Sequence, residues 1–227
     1  MKKKRSLKLI YLAIAVVIIV IVAYVIYTGV GSQGETVVVP GVRVGDEFTY
    51  SINGFFSSND PNATASDAFM SLNMTEWFKV LVTAVSDQDV TVNTTWRFTN
   101  GTVLNATSSI NVDTGVPYPS NGFYPIYAAN LKANDYLRPH GPDRSTINET
   151  SNRQYASGAR ETNRRTITIE NYDENDPSRT WIETPTIYFD KQTGMLVELR
   201  DINVYNSPQM TLTVLWQLTD TNVWQVS

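Results

Sequence analysis

Residues suited to acid–base or metal chemistry are few in this chain. His140 is the single histidine among 227 residues, set in Arg138-Pro139-His140-Gly141-Pro142, and there is no cysteine. A lone histidine without a Ser or Asp motif around it makes neither a nucleophile–base pair nor a multi-histidine metal site, so it reads as an exposed loop residue. The missing cysteines remove disulfides, thiolate metal sites, iron–sulfur clusters and thiol nucleophiles together. Asn59-Asp60 with Asp67, and Asp173-Glu174-Asn175-Asp176, offer the oxygen ligands that Ca2+ accepts. Neither has the spacing of an EF-hand loop, and both read as turns. Arg153, Arg160, Arg164 and Arg165 cluster in an otherwise acidic region. They could hold a carboxylate, a lipid headgroup or an anionic sugar, or pair with Glu149, Glu161 and Glu170 on a strand surface, which is the expectation. No nucleophile elbow, P-loop or dinucleotide fingerprint occurs. No catalytic, cofactor-binding or metal-ligating residue is therefore assigned, and the chain does not read as an enzyme.

Modification chemistry is better represented. N-x-S/T acceptors for N-glycosylation stand at Asn62, Asn73, Asn93, Asn100, Asn105 and Asn148. Asn93 shares parity with Thr91, Thr95 and Arg97, opposite Val92 and Trp96, so a glycan there faces solvent. Five Trp, 12 Tyr and 8 Phe form the other resource. Many belong in a core. A curved sheet lined by such rings also makes an apolar cavity for a lipid or isoprenoid. Phe55-Phe56 and Phe123-Tyr124-Pro125-Ile126-Tyr127 read as loop residues, where exposed rings would mark a binding edge.

The charge distribution places these residues. Eighteen Lys and Arg against 22 Asp and Glu give a net charge of −4. Lys2, Lys3, Lys4, Arg5 and Lys8 all precede the first acid, Glu35; without them 13 positive charges face 22 negative ones. A polyanion repels phosphate backbones, which argues against nucleic acid as a partner. Residues 9–30 are uncharged and apolar, about 33 Å of helix and enough to cross a hydrocarbon core. The basic cluster puts residues 1–8 in the cytoplasm and the C-terminal part outside. An uncleaved signal-anchor in membrane lipid is expected, with a cleaved signal peptide as the alternative, since the run is long and its end offers a poor cleavage site. Residues 31–39 read as a linker and 40–227 as one extracellular domain.

Period-2 alternation recurs through that domain and makes it all-β, an antiparallel meander built as a curved sheet or a sandwich. Phe48, Tyr50 and Ile52 alternate with polar neighbours, as do Phe78, Val80 and Val82, then Val90, Val92, Thr94, Trp96 and Phe98. Asn100-Gly101 is a hairpin turn, with 102–112 returning. Ile167 and Ile169 mark one strand, 173–178 a turn, 179–189 the next strand and 190–194 a tight turn. After Leu199 the apolar parity passes to Ile202 and Val204, which predicts a bulge near Arg200–Asp201. Met210, Leu212, Val214, Trp216 and Leu218 define a one-sided strand. Residues 121–159 are irregular, with room for a short helix. Val42-Arg43-Val44-Gly45-Asp46 echoes Leu131-Lys132-Ala133-Asn134-Asp135, over too short a stretch to be a repeat.

The segments Gly41 to Tyr50, Asn130 to Asp135 and Tyr188 to Glu198 together resemble those of uncharacterised archaeal membrane-anchored cell-surface proteins. In that group a VGD-aromatic strand opens the domain and a Y-F/W-D-K-x-T-G hairpin lies near its end. The hairpin alone is also similar to one in the LolA/LppX-like lipoprotein carriers, which implies a curved antiparallel sheet around an apolar cavity. Those carriers are lipid-modified at a cysteine, which this chain lacks. The expectation is a membrane-anchored, N-glycosylated surface protein with a non-catalytic role toward envelope proteins or glycans. The alternative is a binder or carrier of a lipid or other apolar ligand.

Overall fold

The hairpin at Asn100-Gly101 shows how local chemistry sets the register of the sheet. Phe98 donates its N–H to the Thr102 carbonyl at 3.0 Å, Gly101 donates to the Phe98 carbonyl at 2.8 Å, and the Asn100 side chain accepts from the Thr102 N–H at 2.9 Å. In the computed structural model, which describes residues 38–119, 122–174 and 176–227, this turn joins two of eleven strands. They are β1 (Glu47–Ser58), β2 (Thr75–Ser86), β3 (Asp89–Phe98), β4 (Val103–Asn111), β5 (Pro117–Tyr118), β6 (Glu149–Tyr155), β7 (Gly158–Thr166), β8 (Ile169–Asp173), β9 (Asp176–Asp190), β10 (Leu196–Asn206) and β11 (Gln209–Thr221). A short helix, α1 (Asp67–Met70), and a 3-10 turn (Ser71–Met74) interrupt them. The expected tail, membrane span and most of the linker lie outside the described residues. Among the described residues no helix is long and apolar enough to cross a membrane.

All the strand pairs are antiparallel, and they make one open sheet in the order β5-β4-β3-β2-β1-β11-β10-β9-β7-β6, with β8 beside β9. The architecture is thus the single sheet rather than the sandwich. Each half is a meander, and the halves meet where β1 pairs with β11. Tyr50 seals the junction, its hydroxyl donating to the Leu196 carbonyl at 2.9 Å.

Period-2 alternation puts Tyr50, Ile52, Val80, Val82, Val90 and Val92 on one face, all buried. Burying each such side chain contributes about 1.5–3 kcal/mol. Apart from β5, the described residues of 112–147 cover that face without regular structure. Phe123, Ile126, Leu131, Leu137 and Ile147 from this segment are as buried as the strand residues. A buried loop must satisfy its own backbone. Tyr127 and Asn130 donate their N–H groups to the carbonyls of Gly194 and Lys191, and Ala129 donates to Val39.

Two short turns are built alike. Asp46 accepts the Arg43 N–H at 2.8 Å on its carboxylate and returns its own N–H to the Arg43 carbonyl at 3.0 Å. Asp135 does the same with Lys132, at 2.9 and 3.0 Å. The third residue has positive φ in both, +94° at Gly45 and +72° at Asn134, a conformation that Gly and Asn tolerate best. The five-residue echo in the sequence is therefore one turn geometry used twice.

The turn after β9 is held from inside. Asp190 is fully buried; its Oδ1 accepts from the Thr193 N–H and hydroxyl, and Arg160 grips both of its oxygens at 2.8 and 3.0 Å. Gly194 has φ +72°, and a Cβ there would fall 1.9 Å from the Tyr127 carbonyl. Asp190, Thr193 and Gly194 of the Asp-Lys-x-Thr-Gly signature thus each have a structural task.

Several expectations change. Residues 121–159 hold no α-helix among those described; the helical turns lie at 67–74, and 149–155 is strand β6. Ile167 lies outside the strands, because β7 ends at Thr166 and β8 begins at Ile169. Strand β9 starts three residues before 179. No register shift occurs at Arg200–Asp201; the bulge lies between Leu196 and Glu198. Asp201, Asn203 and Tyr205 therefore share the face of Leu199, and Ile202 and Val204 lie on the other. Tyr205 stacks on Trp181 at 5.5 Å, which offsets the polar residues beside it.

Candidate functional site

Phe78, Trp96 and Trp216 come from β2, β3 and β11, and the pairing register brings them to one face. The Phe78 ring centre lies 4.9 Å from that of Trp216 and 5.7 Å from that of Trp96, edge-on to both, the arrangement that ring quadrupoles favour. Trp96 is oriented by its indole N–H, which donates to the Thr75 hydroxyl at 2.9 Å. Opposite these rings runs the 122–125 segment, with Phe123 5.8 Å from Phe78. Between them lies a cleft of about 420 Å3, walled also by Leu104, Ala106 and Leu199. That volume falls in the range of roughly 300–1,000 Å3 usual for small-molecule sites.

The roof is fixed to its surroundings. Phe123 donates its N–H to the Ser108 hydroxyl at 3.2 Å, and the Leu196 N–H bonds the Pro125 carbonyl at 3.2 Å. Arg138, buried, donates to the carbonyls of Ile126 (2.6 Å), Tyr124 (3.0 Å) and Val112 (3.2 Å) and lies 4.5 Å over the Tyr127 ring. Burial lowers its pKa, and the neighbouring Tyr127 and Asp143 oppose the shift. Burial likewise raises the Tyr127 phenol, and that of Tyr50 further still. A preformed cleft spares a ligand the ordering cost of closing it. Tyr124 is the one titratable side chain among its described lining residues. The chemistry on offer is apolar burial with aromatic contacts.

The residues singled out from the sequence lie elsewhere. His140 is exposed, as its loop implied, but not alone: its Nδ1 lies 2.7 Å from Oδ1 of Asp113. That partner stands 27 residues away and carried no local signal. Asp60 accepts the Asn62 N–H, and Asp176 accepts from Ser178, so these acids work in turns. Among the described residues no group of three or more His, Cys, Asp or Glu could hold a metal ion. The arginines mostly pair with acids, only partly with those expected: Arg164 with Glu149 at 2.9 Å, Arg153 with Glu198 at 3.0 Å and Arg160 with Asp190. Glu161 pairs with Lys191 instead, and Arg165 donates to the Ser145 hydroxyl.

All six sequon asparagines are exposed. Asn93 and Asn105 accept from the Thr107 and Thr95 hydroxyls across the β3–β4 ladder, and Asn148 accepts from the Thr166 N–H. Five of the six leave Nδ2 without a hydrogen bond among the described residues; Asn73 spends its own on Gly54. Phe55 and Phe56 are in β1, and Phe123, Ile126 and Tyr127 are buried, so neither run is an exposed loop edge. Phe123, Tyr124 and Pro125 of the second run line the cleft.

No protein-family model matches this chain, and no curated protein is similar to it.

Proposed function

We propose that this chain is a single-pass, membrane-anchored surface protein, N-glycosylated on its outer domain, which holds an apolar ligand in the curve of its sheet. The observation that carries the reading is the aromatic cleft, open to a ligand and with its roof pinned by Arg138. An apolar chain seated among Phe78, Trp96 and Trp216 gains about 25 cal/mol per Å2 of surface removed from water. The carrier resemblance and the apolar segment 9–30 support the same reading, at the level of an exported protein beside a lipid source. The role is non-catalytic.

Native mass spectrometry of the full chain from an archaeal host, followed by organic extraction, tests it. A discrete mass that extracts as lipid supports the ligand. An empty protein that also fails to bind dansyl-undecanoic acid would sink the reading.

A second reading, an interaction role toward envelope proteins or glycans, is favoured by the opposite face of β1 and the β8–β11 arm. Phe55, Ile182 and Val204 there are each about half exposed, and Tyr172 more so. Soluble monomers rarely leave large contiguous apolar patches uncovered.

A further inference from the structure

Strand β4 lies next to the short end strand β5 of the first half of the sheet, and among the described residues most of its outer side has no partner. It pairs with β3 along its whole length, but with β5 only at Ser109 and Ile110. The bond from the Phe98 N–H to the Thr102 carbonyl fixes the alternation. Leu104 and Ala106 thus exchange bonds with β3, and the N–H and C=O groups of Val103, Asn105 and Thr107 point away from it. Asn111, of the same parity, indeed donates outward to the Val116 carbonyl. For Val103, Asn105 and Thr107 no backbone partner exists among the described residues on that side. Residues 103–107 are all exposed, Leu104 by 54%.

Natural sheets protect such edges with charge, proline or a bulge. The edges at the far end of the sheet do: β6 carries Glu149 and Arg153, and β8 carries Glu170 and Asp173. Strand β4 has no charged residue, no proline and no register shift. It also lies against the cleft, since Leu104 and Ala106 are wall residues.

We infer that β4 is a strand-addition site for an extended segment of a partner protein. The stretch 103–107, free among the described residues, takes five residues, roughly 17 Å of strand. The segment has small polar residues at the first, third and fifth positions, which exchange main-chain bonds with Val103, Asn105 and Thr107 beside the Asn/Thr face. Apolar residues at the second and fourth positions stand next to Leu104 and Ala106 and complete the open wall of the cleft. Main-chain bonds supply affinity, and the cleft supplies specificity for alternate side chains. A lipid offers no such ladder of donors and acceptors. This inference does not rest on the apolar-ligand reading, because extraction and strand pairing are read out separately.

The test uses the full, unglycosylated chain in lipid nanodiscs and a fluorescent acetyl-Thr-Phe-Thr-Leu-Thr peptide with a lysine tail, followed by anisotropy. Binding is expected, weakened at least tenfold when the three Thr amides are N-methylated, which removes the pairing N–H groups and keeps the side chains. Asn105→Pro should weaken binding at least tenfold and Asn105→Ala should leave it unchanged; the N-methylated peptide decides alone if the proline variant misfolds. Equal binding of both peptides, or of neither, overturns the inference. So does a dimer of the chain that Asn105→Pro abolishes, since the edge would then belong to a second copy.

Discussion

The side-chain amide of Asn73 takes both backbone groups of Gly54: Oδ1 accepts the N–H at 2.8 Å and Nδ2 donates to the carbonyl at 2.9 Å. Strand β1 pairs with β2 only over Glu47–Tyr50, so this amide stands in for the missing strand beyond it. To bond N–H and C=O of one residue, Asn73 must use the Nδ2 hydrogen on the same side as Oδ1. An N-glycosidic bond replaces that hydrogen. Glycopeptide mapping of the folded protein should therefore find Asn73 unmodified while sequons away from the β4 edge, such as Asn62 and Asn148, carry glycan; a fully occupied Asn73 would refute this.

The same pairing predicts a stability effect. Asn73→Asp removes the donor and sets a carboxylate beside a carbonyl, at a cost of about 1–3 kcal/mol. Denaturant unfolding of the two proteins compares them, with the m-value unchanged if only this contact is lost.

Among the described residues, Asp190 and Arg160 form the one ion pair with a fully buried partner. Arg160→Met leaves the carboxylate with only Thr193 as donor, and about 3–5 kcal/mol of stability should go with it. Exchanging both residues for apolar ones of similar volume should recover part of that loss. Thermal unfolding of the single and double variants separates the two cases.

Trp216 touches three other rings of the cleft, those of Phe78, Trp96 and Phe123, whereas Trp181 stacks on Tyr205 out on the arm. Trp216→Ala should weaken binding of dansyl-undecanoic acid at least tenfold, about 1.4 kcal/mol. Trp181→Ala should not alter it. Equal losses in both variants would move the ligand out of the cleft.

Alkaline stability follows from the phenols. Burial raises Tyr50 well above its usual value near 10, and raises Tyr127 and Tyr155 too. A raised folded-state pKa adds stability that is complete below the unfolded value and is lost as pH climbs through the folded one. Unfolding free energy should therefore be flat from pH 7 to about 9 and fall steeply above about 10. Tyr50→Phe should flatten that fall, while costing about 1 kcal/mol at neutral pH for the bond to Leu196.

The strands were legible where one face is apolar and the turn is local. Asn100-Gly101 and the parity of Phe78 to Val82 are short-range facts, and both survive folding. The arm misled because apolar residues were assigned inward: Ile202 and Val204 face out, and Asp201 and Asn203 face in beside the Trp181–Tyr205 stack. Within the irregular 121–159, the described residues 122–147 gave no period because their order is non-local, set by Arg138 gripping three carbonyls and by Gly194 admitting Tyr127. The aromatic cavity was legible as a possibility in the ring count, but its members were not, since three strands and a loop must meet to make it.

The pairing of β1 with β11 also governs when the domain can form. Glu47 bonds the side chain of Asn222, 175 residues later, and the central seam of the sheet lies between the first and last strands. During synthesis or export the two meanders can collapse separately, but neither has its neighbour at the seam until the final strand arrives. Loop closure over such a distance makes folding slow and leaves both halves with exposed edges meanwhile. Truncation inside β11 should thus not trim the protein but leave two half-sheets without a common core.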